Sequence, residues 1–303
     1  MRKNDILSKW LGGIAYETAF WNNVYRWRRT FEGMMNWSGY GSVINLEGFD
    51  ANAFLVGKEK PTVLDVGCGM SYATGNHILR TQADGAETMT PLAIHYIDPL
   101  AHQFNKILKR YGHRLPEIEF GMVEYLSAFY PHHDIPLIIV QNALDHSARP
   151  MKGILECIGA LEKGGILYLN HHTNEAETEK YKGFHQYNIC EEKGRLIIWN
   201  KTERWDVNLQ TEGFAHIETE CMPNGHVTAV ITKTADLPDG LIDRDEDRRE
   251  LCRTMIVNGQ KASNIGQAIK SKTAYVMYNA VQMVAQGLPW DIKMKIKKLI
   301  KQA

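Results

Sequence analysis

The sequence lacks most of the features that mark secreted, membrane-spanning or nucleic-acid-binding proteins. Cysteine is sparse: Cys68, Cys157, Cys190, Cys221 and Cys252 make an odd total, and no pair is spaced Cys-x-x-Cys. That argues against a disulfide framework and against a thiolate zinc site, and points to a reducing, cytoplasmic compartment. No run of about 18 apolar residues is present, so no membrane-crossing helix is expected. The start, Met-Arg-Lys followed within nine residues by Asn, Asp, Ser and Lys, has no apolar signal-peptide core. Neither sign of charge dominates, since 35 basic residues balance 35 acidic ones. The chain therefore carries no electrostatic footprint for nucleic acid, and a small-molecule substrate is expected. Internal repeats and low-complexity runs are missing as well.

What is there falls into three stretches. Residues 1–58 hold four of the seven tryptophans, Trp10, Trp21, Trp27 and Trp37, with Tyr25 and Phe31 among them. We read this stretch as a helical, aromatic-rich cap that packs on the core and helps to close a substrate cleft. Residues 59–236 alternate short apolar strands with amphipathic helices. The strand candidates are Val63–Val66, Ala93–Ile97, Ile118–Val123, Leu137–Val140 and Ile166–Leu169. The helix faces are Phe104, Ile107, Leu108 and Tyr111, then Ile154, Leu155, Ile158 and Leu161, with a further helix start expected near Tyr72 to Thr74. Ala215–Glu218 and Val227–Ile231 close the pattern as a reversed hairpin. The expected fold is α/β, Rossmann-like and doubly wound: a mostly parallel seven-stranded sheet with an antiparallel edge strand, plus helical additions at both ends. A polar insert rich in His and Asn, about residues 170–210 with a strand at Leu196–Trp199, interrupts the rhythm. Residues 237–303 read as an acidic linker, 237–246, and a helical tail. Its Ile292, Ile296, Leu299 and Ile300 form one face, suited to packing on its own domain or in a homo-oligomer rather than on a membrane.

The chemistry starts at Val63-Leu64-Asp65-Val66-Gly67-Cys68-Gly69. A strand feeding a glycine turn lets backbone approach a ligand closely. The third glycine of the dinucleotide fingerprint is missing, because position 72 is Tyr. Asp65 would repel a pyrophosphate and welcome a ligand bearing an amino group. Asp98 ends the second strand, where an acid can accept hydrogen bonds from ribose hydroxyls. It stands farther along the chain than the usual interval of about 20 residues, which fits a loop inserted around Thr81 to Pro91.

Residues 61–170 resemble the class I S-adenosylmethionine-dependent methyltransferase family. The resemblance rests on the Asp-x-Gly-x-Gly turn, on Asp98, on Gln141-Asn142-Ala143-Leu144-Asp145-His146 after the fourth strand, and on Leu161-Glu162-Lys163-Gly164-Gly165 before the fifth. It implies that S-adenosylmethionine is the cofactor. Asp65, Gly67, Cys68 and Gly69 would hold its amino acid part, Asp98 its ribose, and Val123 and Glu124 its adenine. Asn142 would stand where cofactor and substrate meet. The family often has Asp after the glycine that is Gly121 here, whereas this chain has Met122.

A hydroxyl acceptor needs a base, and histidine suits that task near neutral pH. His146, His172 and His185 are the candidates, all expected at the carboxyl edge of the sheet. Asn174, Glu175, Tyr181 and Gln186 are candidate substrate contacts. Asn174-Glu175-Ala176-Glu177 and Gly183-Phe184-His185-Gln186 loosely resemble a subgroup that acts in glycan and natural-product, including polysaccharide, biosynthesis. The spacing of His172, Glu175 and His185 matches no zinc pattern, so no metal is expected. Asn142-Ala143-Leu144-Asp145 lacks the Pro-Pro element of enzymes that methylate base amino groups. The expected activity is O-methylation of a small polar acceptor such as a sugar or nucleotide-linked glycan precursor. The alternatives are a non-catalytic cofactor-binding or assembly protein and a nucleotide-dependent oxidoreductase.

Overall fold

The computed structural model describes residues 39–242, apart from 60 and 182, together with positions 13, 14, 17, 18, 20–22, 24 and 25. The expected helical tail and its oligomer-forming face, Trp10, Trp27, Phe31, Trp37 and Cys252 lie outside the described residues. The described positions between 13 and 25 are helical, and Ile14, Trp21 and Tyr25 are buried.

The main sheet follows from the apolar runs. β1 (Thr62–Val66), β4 (Ala93–Asp98), β5 (Glu119–Phe120), β6 (Ile135–Gln141) and β7 (Leu161–His172) run parallel. β11 (Ala215–Cys221) and β12 (His226–Lys233) complete the seven-stranded order β11-β12-β7-β6-β1-β4-β5. β12 is antiparallel to both β7 and β11, so the reversal sits in the closing hairpin. β1 and β6 are near-continuous apolar because both faces of the sheet centre are covered; Val63, Leu64, Leu137, Ile138 and Ile139 are inaccessible to solvent. α2 (Ala101–Tyr111) buries Phe104, Ile107 and Leu108 and ends at Gly112 with φ +67. α4 (Pro150–Ala160) carries proline at its first position, where no helical N–H is lost. Between α2 and α4 comes the four-residue α3 (Leu126–Phe129), and α1 (Ala51–Val56) precedes the sheet.

Several expectations need correction. No helix begins near Tyr72 to Thr74. Tyr72 has φ +48, which a right-handed helix does not contain, and backbone of Val43 and Ile44 presses on Gly75. The inserted loop is instead a hairpin, β2 (His77–Thr81) with β3 (Glu87–Pro91), turning at Gly85 with φ +82. The Lys163-Gly164-Gly165 turn lies inside β7, where the register with β6 shifts between Ile135 and Leu137; it is a bulge, as an isolated glycine at positive φ in a strand often is. The polar insert holds the short α5 (Glu175–Thr178) and a separate three-stranded sheet of β8 (Asn188–Glu192), β9 (Arg195–Trp199) and β10 (Arg204–Asp206). Its Ile189, Leu196 and Ile198 join the main core. α6 (Val207–Gln210) leads from β10 to β11. The start of the expected linker also packs down: Leu237 and Ile242 are buried in that core.

Candidate functional site

At the carboxyl end of β1 the chain turns through Gly67 (φ +69) and Gly69 (φ +54). The N–H groups of Gly67 and Cys68 both donate to the Ile97 carbonyl, at 2.8 and 3.2 Å, and tie the turn to β4. A Cβ at position 67 would overlap that of Ala143, and one at 69 would lie 2.9 Å from Trp21 Cζ2. Glycine is required at both on steric as well as dihedral grounds.

Asp98 stands beside this turn. Its Oδ2 accepts from Gly69 N at 3.0 Å and its Oδ1 from Leu100 N at 2.7 Å. Each carboxylate oxygen has two acceptor directions, so each keeps one for a ligand. Burial pushes the Asp98 carboxyl up to about 6, against the pull of these two donors. Asp65 takes a different place from the one expected. It is buried beneath the turn, accepts from Thr74 Oγ1 at 3.3 Å, and is not part of the cavity wall. Burial pushes its carboxyl up to about 7, against the pull of the Thr74 hydroxyl.

Across the cavity the ends of β6 and β7 are joined by Asn142 (φ +47). Its N–H donates to Asn170 O at 2.9 Å, and its Oδ1 accepts from His172 N at 3.0 Å. A 3-10 turn, Leu144–His146, follows. It presents Asp145 and His146 to His185 from the insert. His185 Nδ1 lies 2.9 Å from Asp145 Oδ2 and 3.1 Å from His146 Nε2, which is itself 3.5 Å from Asp145 Oδ2. Burial opposes ionisation of Asp145, but His146 and His185 outweigh it and hold the carboxyl well below the usual carboxylate range. Burial lowers His146, leaving it neutral. For His185 burial also pulls downward, but the hydrogen bond and charge of Asp145 prevail and raise it to about 9. Behind them His171, lowered to about 4 by burial, has both ring nitrogens buried without a hydrogen-bond partner; Nδ1 lies 3.9 Å from the equally unpartnered Asp145 Oδ1.

The remaining wall comes from Met122, Val123, Glu124 and the N-terminal Glu17, Phe20 and Trp21. Glu124 Oε1 accepts from Ala148 N at 2.7 Å and Arg149 N at 3.4 Å, so its carboxylate serves the start of α4 as well as the cavity. Glu17 accepts from Trp21 Nε1 at 2.8 Å and is pushed up to about 7 by burial.

These groups surround a cavity of about 700 Å³, within the range of small-molecule sites. Gly67, Cys68, Gly69, Asp98, Val123, Glu124, Asn142, His146, His172, Glu175 and His185 all border it. His172 does so from an exposed rim, with its ring 4.0 Å from that of His226. Three expected substrate contacts are elsewhere. Asn174 caps α5 at φ 53 and accepts from Trp199 Nε1; the hydroxyl of Tyr181 accepts from Asn188 Nδ2; Gln186 is buried and donates to the carbonyls of Tyr181 and Gly183. Each stabilises the insert. Asp145, His171, Glu17 and Phe184 are site residues that sequence reasoning did not select. Asp145 could have been found from its place beside His146, whereas Glu17 carries no sequence signal.

Among the described residues the wall contains no Lys or Arg. A pyrophosphate there would face Asp98, Glu124, Glu17 and Glu175 without a permanent cation, whereas a ligand with a sulfonium and an amino group would be favoured. The glycine cradle, the two open acceptor directions on Asp98 and the acidic wall fit S-adenosylmethionine.

Neither a family model nor a curated protein sequence matches this chain. Solved structures similar to it include an O-methyltransferase family protein from Burkholderia thailandensis, 11% identical over 72% of this chain and 60% of that one, with a TM-score of 0.40. An S-adenosylmethionine-dependent methyltransferase from Clostridium acetobutylicum is 9% identical over 69% of this chain and 98% of that one, at 0.37. A SAM-dependent methyltransferase from Aquifex aeolicus is 15% identical over 60% of this chain and 86% of that one, at 0.35. The assignment of this chain to the Rossmann-like, doubly wound class rests on its own strand order rather than on these distant likenesses.

Proposed function

We propose that this chain is an S-adenosylmethionine-dependent methyltransferase that methylates a hydroxyl of a small, uncharged polar acceptor such as a sugar. The observation that carries this reading is one cavity bordered both by a glycine turn with Asp98 and by His146 and His185, whose rings Asp145 holds from outside the wall. Gly67, Cys68 and Gly69 would lie against the amino acid part of the cofactor, Asp98 would accept from its ribose, and Val123 would pack on its base. When bound, the cofactor supplies an electrophilic methyl group on a sulfonium leaving group.

The chain's task is then orientation, exclusion of water and handling of one proton. Trp21, Phe20 and Phe184 supply the apolar wall. His185 is a cation at neutral pH and cannot act as a base, whereas His146 stays neutral and has the capacity to take a proton. Asp145 holds both rings. His172, at the rim against His226, is outside this group. An acceptor carrying phosphate is disfavoured by the acidic wall.

The test is equilibrium binding of S-adenosylhomocysteine and, separately, NADH to the full chain. Micromolar binding of the first without the second supports the proposal, and would be followed by mass-spectrometric screening of sugars for a methyl-sized gain. Binding of NADH alone would replace it with the oxidoreductase reading.

A further inference from the structure

Three atoms that can each offer a lone pair to an ion, His185 Nδ1 once its proton is displaced, converge beside the cavity that His146 and His185 border: Asp145 Oδ2, His146 Nε2 and His185 Nδ1. Their separations are 2.9, 3.1 and 3.5 Å. Protons can bridge these atoms in pairs, as between His185 Nδ1 and Asp145 Oδ2; a single ion in their place would engage all three at once. Ligands held about 2.0–2.2 Å from one ion are roughly 3.3–3.5 Å apart on a tetrahedron and roughly 2.9–3.0 Å apart on an octahedron. The observed triangle spans that range.

We infer that Asp145, His146 and His185 bind a divalent transition-metal ion through these three atoms, with the remaining coordination positions open to the cavity. The site itself stands on geometry, and only the ion's role rests on the methyltransferase reading. Two imidazoles with one carboxylate suit zinc, iron, cobalt or nickel better than magnesium or calcium, which favour all-oxygen sets. Glu175 borders the open side, its Oε2 3.9 Å from His185 Nδ1. The surroundings also fit. Metal-bound carboxylates and histidines are steadied by outer partners, and here Asp145 Oδ1 points toward His171 Nδ1, each buried and otherwise unpartnered. Sequence spacing hides the set, because Asp145 and His146 are adjacent while His185 comes from the insert.

The ion would bind the acceptor hydroxyl at an open position and acidify it. With its Nε2 on the ion, His146 no longer takes the proton as it would in the metal-free site: the O–H proton passes to solvent water, the oxygen forms its bond to the methyl carbon, and the carbon–sulfur bond breaks with its electron pair going to sulfur. The products are the methyl ether and S-adenosylhomocysteine, with no change of metal oxidation state.

The experiment is a Co²⁺ titration of the chelator-treated full chain, followed by visible d–d absorption and by thermal melting, with S-adenosylhomocysteine binding measured on the same samples. The expected result is one equivalent of Co²⁺ bound, displaced by Zn²⁺ but not by Mg²⁺, with a rise in melting temperature. His185→Ala, whose parent side chain is a quarter exposed and so tolerant of removal, should weaken binding at least about tenfold, as should Asp145→Asn. His95→Ala, which breaks the surface pair with Glu119, should leave it unchanged. No Co²⁺ spectrum from folded wild-type protein, or equal affinity in wild type and His185→Ala, overturns the metal site. Cofactor binding without metal binding defeats this inference alone, and metal binding without cofactor binding defeats the methyltransferase reading alone.

Discussion

Replacing Asp98 by Asn separates the residue's contribution to binding from its contribution to stability. In the proposed complex both carboxylate oxygens accept ribose hydroxyls while still accepting from Gly69 N and Leu100 N. Hydrogen bonds to a charged group are worth about 1.5–3 kcal/mol each. Asparagine keeps one neutral acceptor and presents an amide N–H₂ where the other oxygen stood, so about 3 kcal/mol, or about two orders of magnitude in affinity, should be lost. Stability should move little. A carboxyl raised from 3.8 to about 6 destabilises the native state by about 3 kcal/mol above that pH. The amide removes that penalty, but leaves one backbone N–H without its acceptor, at about 1–3 kcal/mol. Titration calorimetry with S-adenosylhomocysteine at pH 8, beside thermal melts, measures both quantities. The wild type should also lose affinity as the pH falls below about 6, because protonation removes an acceptor, and the variant should not. A folded Asp98→Asn protein binding within about threefold of wild type would refute the assignment of Asp98 to the ribose.

Other substitutions probe the frame around the site. Gly67→Ala forces a side chain into a left-handed conformation, at about 1–2 kcal/mol, and into Ala143; melting temperature and cofactor affinity should fall together. Glu124→Ala strips the acceptor from Ala148 N and Arg149 N and should destabilise by about 1–3 kcal/mol in urea denaturation, while Glu124→Gln should recover most of it. Asp65 has its folded-state carboxyl raised from 3.8 to about 7. Protonation therefore favours the folded state, and its contribution is fully present below pH 3.8 and lost as the pH rises through 7. Wild type should lose stability relative to Asp65→Asn between pH 4.5 and 7.5, by about 3 kcal/mol, and a constant difference across that range would contradict the burial of Asp65.

The sheet was legible because each central strand is a short apolar run, and the helix faces of α2 and α4 repeat at helical spacing. The first crossover was not. Residues 72–74 hold no breaker that a sequence scan weighs heavily, and the positive φ of Tyr72 is imposed by tertiary contact. Of the residues expected to hold a cofactor, Gly67, Cys68, Gly69, Asp98, Val123, Glu124 and Asn142 border one cavity, whereas Asp65 is buried beside Thr74 outside its wall. The insert was less legible: polarity marked it as functional, yet Asn174, Tyr181 and Gln186 are polar because they tie irregular backbone together. Among its described residues, only His172, Glu175, Phe184 and His185 reach the cavity from it. Short polar segments give no periodicity by which to tell those two uses apart.

The two ends of the cavity carry negative charge in opposite states. At the glycine turn, burial raises Asp98 and Glu17, so charge there is costly until a cation arrives. At the far end Asp145 is held ionised by the histidines that surround it, so its charge is already compensated and a second cation must displace a proton to enter. A ligand carrying positive charge therefore gains most at the turn, while the histidine end favours a species that competes with protons for lone pairs, a hydroxyl or a metal ion. In the proposed reading, the carboxylates at the two ends would thus sort an electrophile from a nucleophile by position. The sorting would come from burial and neighbouring rings rather than from any difference in the carboxylates themselves.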